Sequence, residues 1–207
     1  TTGTTGKSKG IKIVYRNNVA IAQNVSEAIG ITNDDVEMVT APMNHSMALR
    51  RTYTVFYKGG TVVLTDGVKF IEDFFKLLDM YNVTGLTFAP AILEQLLKFA
   101  KDRFGTYSDR LRYIQLGSAP LSEKAKETLK EMFPNTKLFN IYGATESGCT
   151  VSLEFSKYGD KKGSIGKPNV NAEIIFVDDD RNIVKASAQN PGNLAFKGAM
   201  NMPGYLK

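Results

Sequence analysis

The 207-residue sequence has no tryptophan, one cysteine, Cys149, and one histidine, His45. A single thiol excludes an internal disulfide and suits a reducing cytoplasm, the compartment expected here. One His and one Cys also exclude a zinc site built from those two residue types. No apolar run reaches the ~20 residues of a membrane-spanning helix. No charged segment followed by an apolar one opens the chain, so no signal peptide is expected. The chain starts on Thr1, inside a loop-like stretch without an initiator methionine, and is expected to be a piece of a longer protein. Repeats, low-complexity tracts and a Pro-rich linker are lacking as well.

Charge of one sign is not concentrated. The 26 basic and 21 acidic residues give a net charge of +5. The basic residues are scattered and not interleaved with aromatics, which reads as a solvated surface and argues against a nucleic-acid partner. With 43% hydrophobic and 23% charged residues the chain has the composition of a folded domain.

What is present is an alternation of strand and helix patterns. Residues 11–16 read as a strand. A helix over 18–30 follows, capped by Asn17 or Asn18 and closed by Gly30. Residues 36–41 read as a strand, 47–57 as a helix stopped by Gly59 and Gly60, and 61–65 as a β-branched strand. Phe70, Phe74, Leu77, Leu78 and Tyr81 fall at helical spacing. Strand 83–88 ends at Pro90. Ile92, Leu93, Leu96, Leu97, Ala100 and Phe104 line one helix face. Strand 111–116, a helix capped by Ser122 and closed by Pro134, and strand 137–142 complete the series. This order predicts an α/β fold, a mostly parallel sheet with helices on both faces, spanning residues 1–160. Short strands at 172–177, 182–185 and 193–197 then predict the start of a small β-rich subdomain over residues 161–207.

The opening segment, T-T-G-T-T-G-K-S-K-G, combines three glycines, four threonines, Lys7 and Lys9. Glycines let backbone N–H groups converge on an anion, and hydroxyls and ammonium groups add donors, so this is a phosphate loop. A Walker loop ending at Gly6-Lys7-Ser8 is disfavoured on two counts. The position of its first glycine is Thr1, and the residues that follow read as strand rather than helix.

The loop resembles the Ser/Thr/Gly-rich loop of the adenylate-forming superfamily, which holds acyl-CoA synthetases, peptide-synthetase adenylation domains and luciferases. The resemblance implies that Thr1, Thr2, Gly3, Thr4, Thr5, Gly6 and Lys9 close over the β- and γ-phosphates of ATP. Ser8 stands where the family has Pro. Three further segments match in the same order. Pro42-Met43-Asn44-His45 resembles the family's segment at the mouth of the acyl pocket, which implies that His45 lines the carboxylate site. Gly117-Ser118-Ala119-Pro120 resembles the turn packed against adenine, although alone it reads as an ordinary strand-to-helix turn. Asn140-Ile141-Tyr142-Gly143-Ala144-Thr145-Glu146 resembles the Tyr-Gly-x-Thr-Glu signature. By that likeness Tyr142 and Gly143 border adenine and Asn140 bonds its exocyclic edge. Thr145 contacts the α-phosphate, and Glu146 holds Mg²⁺. A weaker likeness covers Gly192-Asn193-Leu194, Gly198 and Gly204-Tyr205, with Asn193 in place of Glu and no role implied.

The resemblance implies activation of a small carboxylic acid by ATP with Lys9, His45, Thr145 and Glu146 as catalytic residues. AMP, Mg²⁺ and CoA are the implied cofactors and co-substrates, and fatty-acid metabolism is one setting. Ala91, Gly117, Gly143 and Cys149 are candidates for the acyl pocket. Transfer to a carrier protein is a rival, as is a non-catalytic interaction module of the same fold. The ribose-binding Asp, the hinge and the mobile domain of the family are expected beyond Lys207, so this chain alone is expected to be inactive.

Overall fold

The structure, a computed structural model, describes residues 7–65, 67–158 and 161–206. Its centre is a seven-stranded sheet. Five strands run parallel: β2 (Val36–Val39), β3 (Thr61–Leu64), β4 (Gly85–Phe88), β5 (Tyr113–Gly117) and β6 (Lys137–Ala144). Two more, β7 (Gly148–Glu154) and β8 (Lys167–Pro168), add antiparallel at one edge, giving the order β3-β2-β4-β5-β6-β7-β8. The α/β class and the helix-flanked, mostly parallel sheet are therefore as the sequence predicts.

The strands alternate their side chains between two faces, as the period of two requires. Met38, Leu86, Phe88, Ile114, Leu116 and Leu138 point one way. They meet Phe74, Phe75 and Leu78 of α3 (Ile71–Met80), Leu93 and Leu96 of α4 (Pro90–Phe99), Phe104 of α5 (Lys101–Gly105), and Leu129 of α6 (Glu123–Met132). Phe104 and Phe133 pack edge-on with centroids 4.7 Å apart. On the other face, α1 (Tyr15–Ile29) sets Val25 and Ile29 against Tyr113, Phe139 and Ile141. Next to it lies α2 (Ser46–Tyr57).

Four local expectations need correction. The first strand, β1, is only Ile11–Lys12, and α1 begins at Tyr15. Asn17 does not cap from outside: it sits in the first turn and its Oδ1 accepts from the Val14 N–H at 2.9 Å. Its amide donates to the carbonyls of Ala199 and Asn201, a long-range tie invisible in local sequence. The 92–104 helix breaks at Ala100 (φ −150°, ψ 29°), so the apolar stripe is shared by α4 and α5. The strand expected over 137–142 is too short. Strand β6 runs on to Ala144, and a turn at 145–147 sends the chain back as β7.

In the last part, β9 (Ala172–Val177) pairs antiparallel with β10 (Asn193–Gly198). Residues 182–185 form no strand, only an isolated bridge between Val177 and Ile183. Ile183 is 74% exposed and Asn182 bonds back to Asp178, so the turn takes that segment's hydrogen bonds. The final strand, β11 (Gly204–Tyr205), pairs with β1, placing Lys9 beside the chain's far end.

Candidate functional site

The crevice lies at the carboxyl ends of the parallel strands β2, β5 and β6, the usual ligand position in an open parallel sheet. Its roof is the start of α2. His45 caps that helix: its Nδ1 accepts from the Met47 N–H at 3.2 Å, which leaves Nε2 as the ring's donor. The remaining free N–H groups of this turn favour an anion.

Beside it stands the β6–β7 turn. Thr145 Oγ1 is 3.3 Å from Ser46 Oγ. Arg50, one turn into α2 and 8% exposed, donates to the carbonyls of Ala144 and Thr145 at 3.1 and 2.6 Å. Its guanidinium therefore clamps the turn that carries Thr145 and Glu146. Burial lowers the Arg50 pKa from its ordinary value, opposed by the nearby Cys149 and Glu146. The local backbone demands small residues here. A Cβ on Gly143 would run into the Gly148 carbonyl, and β7 bulges opposite Tyr142 and Gly143.

On the far side, Ser118, Ala119 and Pro120 face Asn140, Tyr142 and Gly143 across a cavity of about 410 Å³. Ser118 has φ +69°, which turns the chain sharply at the end of β5. Tyr142 is 45% exposed, with its ring 6.0 Å from that of Phe196. Two sequence segments separated by some twenty residues thus form one slot open to solvent.

Glu146 accepts from the Tyr205 hydroxyl at 3.0 Å, and the Lys9 ammonium lies 5.3 Å from the Tyr205 ring centre. The hydrogen bond to Glu146 raises the Tyr205 pKa, with burial and the carboxylate charge acting the same way. Lys9, Glu146 and Tyr205 thus form one group. Tyr205 has no role in the sequence reading; only the β1–β11 pairing brings it here. Arg50 was also missed, its signal being an arginine pair inside an otherwise uncharged helix, Ser46–Tyr57.

A second cavity, about 230 Å³, opens between α2 and the ends of β5 and β6. His45, Ser46 and Thr145 line it, as do Gly117, Gly143 and Cys149. Ala91 does not: it lies on the exposed side of α4. Burial raises the Cys149 pKa, opposed by Arg50 and Arg51, which favours the neutral thiol. Thr1, Thr2, Gly3, Thr4, Thr5 and Gly6 lie outside the described residues; Lys7 and Lys9 are exposed next to them.

A glycine-walled crevice at the carboxyl ends of parallel strands, with a helix N-terminus aimed into it, defines an α/β enzyme of the nucleotide-using kind. Residues 1–206 match the family described as AMP-binding enzyme, and the chain belongs to that adenylate-forming family. It is 30% identical over 213 residues to 4-coumarate-CoA ligase 1 of Narcissus pseudonarcissus. It is 31% identical over 214 residues to 4-coumarate–CoA ligase 2 of Solanum tuberosum. Each match takes in 99% of this chain and 38% of the relative, so the chain spans well under half of those proteins. The fold matches o-succinylbenzoate coenzyme A synthetase of Bacillus subtilis, solved with ATP and magnesium ion, at TM-score 0.85 and 27% identity. That match covers 99% of this chain and 41% of the other. The same enzyme has also been solved with its acyl-adenylate intermediate.

Proposed function

We propose that the chain carries the nucleotide and acyl sites of an AMP-forming acid–thiol ligase. In the first step a carboxylate oxygen attacks the α-phosphorus of ATP, and the bond to the β-phosphate oxygen breaks, giving acyl-adenylate and pyrophosphate. In the second, a thiol, that of CoA, attacks the acyl carbon and AMP departs. The observation that carries this reading is the meeting of Thr145, Ser46 and His45 in the wall of one cavity, which shares Ser118, Ile141 and Gly143 with the slot beside Tyr142.

The residues divide the work. Tyr142 and the 118–120 backbone present a flat surface to adenine, with Asn140 at its polar edge. Thr145 Oγ1 and the free N–H groups of α2 face the α-phosphate, where charge builds up. Arg50 holds that turn in place through its two carbonyls. Lys9 suits the outer phosphates by its charge. Glu146 suits Mg²⁺, which uses one or two carboxylates plus substrate phosphates and keeps several waters. When bound, Mg²⁺ neutralises the pyrophosphate leaving group. Catalysis is then mostly positioning and charge stabilisation.

The test is product identity. The full-length protein, given Mg-ATP, CoA and a mixture of carboxylic acids, should release AMP and pyrophosphate and form acyl-CoA. Release of ADP and phosphate instead would point to a Walker-type enzyme and sink the reading.

A further inference from the structure

The segment that joins β10 to β11 is fastened along its whole length. Met200 is fully buried in one cluster with Ala20 and Ile21 of α1. Asn17, also of α1, donates to the carbonyls of Ala199 and Asn201. The Met202 N–H donates to the Glu146 carbonyl at 2.8 Å. Further on, Tyr205 pairs with Ile11, and the Leu206 N–H donates to the Gly10 carbonyl at 2.8 Å. The segment is therefore a strap that ties the turn carrying Glu146 to the base of the opening loop.

Tyr205 uses both parts of its side chain here. The hydroxyl donates to Glu146 Oε1 at 3.0 Å. The ring lies 5.3 Å from the Lys9 ammonium. A ring face attracts a cation without neutralising it, so Lys9 keeps its charge for an anion. Glu146 is half-buried and is held twice, at its carbonyl by Met202 and at its carboxylate by Tyr205. A bond to one carboxylate oxygen sets the plane of the group, and a carboxylate has a second oxygen to offer. Mg²⁺ demands near-ideal octahedral geometry, so a carboxylate held in one orientation serves it better than a mobile one. Tyr205 is 42% exposed, so packing alone does not account for its place.

We propose that Tyr205 is a positioning residue for nucleotide binding, holding the Glu146 carboxylate for the Mg²⁺ that accompanies ATP. The proposal rests on the ligase reading above. Tyr205 is in the wall of neither the 410 Å³ slot nor the 230 Å³ cavity. Its effect is thus confined to the metal and the outer phosphates. AMP, which lacks those phosphates, should not sense it.

The experiment is calorimetric binding of Mg-ATP, of ATP in excess EDTA, and of AMP to the full-length protein and its variants. Tyr205→Phe keeps the ring beside Lys9 and removes only the hydroxyl. It should weaken Mg-ATP binding by roughly tenfold, the usual loss when a metal-binding carboxylate is deprived of its hydrogen-bond partner. Its affinities for AMP and for ATP in EDTA should equal those of the parent. Glu146→Gln should show the same selective loss. Glu146→Gln/Tyr205→Phe should lose no more than Glu146→Gln alone, because the hydroxyl acts through the carboxylate. Parental Mg-ATP affinity in Tyr205→Phe, or losses that add in the double variant, overturns the proposal and leaves the ligase standing. So does an equal loss of AMP affinity, which would make Tyr205 a general structural residue. A folded parent that binds neither ATP nor AMP removes the ligase reading and this proposal with it.

Discussion

The two faces of the sheet use the same strands for opposite purposes. On one, Met38, Leu86, Ile114 and Leu116 meet the aromatic rings of α3 and α5. One residue along each strand, on the other, Glu37, Thr87 and Gln115 are buried, and α2 brings Arg51 to Glu37. Gly85 belongs to that second face, and a Cβ there would collide with the Tyr113 ring, whose hydroxyl donates to Glu37 at 2.6 Å. Burial pushes the Tyr113 pKa well up, with Glu37 adding to it, so the phenol stays a donor. Burial works to lower the Arg51 pKa, but the charge and hydrogen bonds of Glu37 win and raise it. The apolar face holds the fold together without lining the crevice. The polar face costs desolvation, and its Arg51 and Gln115 reach the wall of the 230 Å³ cavity.

The comparison breaks most sharply at Arg51. Arg51→Met alone leaves Glu37 buried without its cation and should cost about 3–5 kcal/mol in denaturant unfolding. The double variant with Glu37→Gln should recover most of it. If the single variant is as stable as the parent, the polar layer is not the paired network described. On the apolar face, Phe104→Ala should cost a similar 3–5 kcal/mol or so, yet leave the ranking of acids unchanged where protein remains folded. A changed ranking would mean that the two faces are not independent.

At the crevice itself, Glu146→Gln in the full-length protein should lower exchange by roughly ten- to a hundredfold and raise the Mg²⁺ requirement, because it keeps shape and removes charge. Wild-type exchange at limiting Mg²⁺ would displace Glu146 from the metal. Lys9→Ala should impair the ATP-dependent step more than Lys7→Ala; the reverse order is what a Walker loop demands. Exchange kinetics on the pair decide it.

The smallest effect is at the sheet edge. Burial works to raise the Asp35 pKa, but hydrogen bonds from Arg112, the Thr32 N–H and the Thr84 hydroxyl win and hold it below its ordinary 3.8. A carboxyl lowered by folding adds stability that is complete above its unfolded pKa and fades as pH falls through its folded one. Unfolding midpoints should therefore drop below about pH 4, and Asp35→Asn should flatten that acid limb. An unchanged limb would assign acid sensitivity to other carboxyls.

What the sequence shows and hides follows this same division. The apolar stripes of α3, α4 and α6 and the β-branched strands are periodic, so the apolar face is legible locally. The crevice segments 117–120 and 140–146 are legible because a turn of small residues beside Tyr-Gly-x-Thr-Glu is a distinctive string. Hidden residues are those whose partners lie far along the chain. Glu37 and Arg51 read as surface charges until β2 and α2 are stacked. Tyr205 needs a strand pairing across nearly the whole chain to reach Glu146. Strand β7 was missed because its glycine and cysteine start looks like loop, and its pairing with β6 is what makes it a strand.

Which cavity takes the nucleotide base decides the function. Photolabelling of the full-length protein with 8-azido-ATP, followed by peptide mapping, locates it directly. The result predicted here is label on residues 117–121 or 140–143, suppressed by AMP. Label confined to the 230 Å³ cavity around Arg51 and Gln115, or to segments away from the crevice such as 67–80, would contradict it.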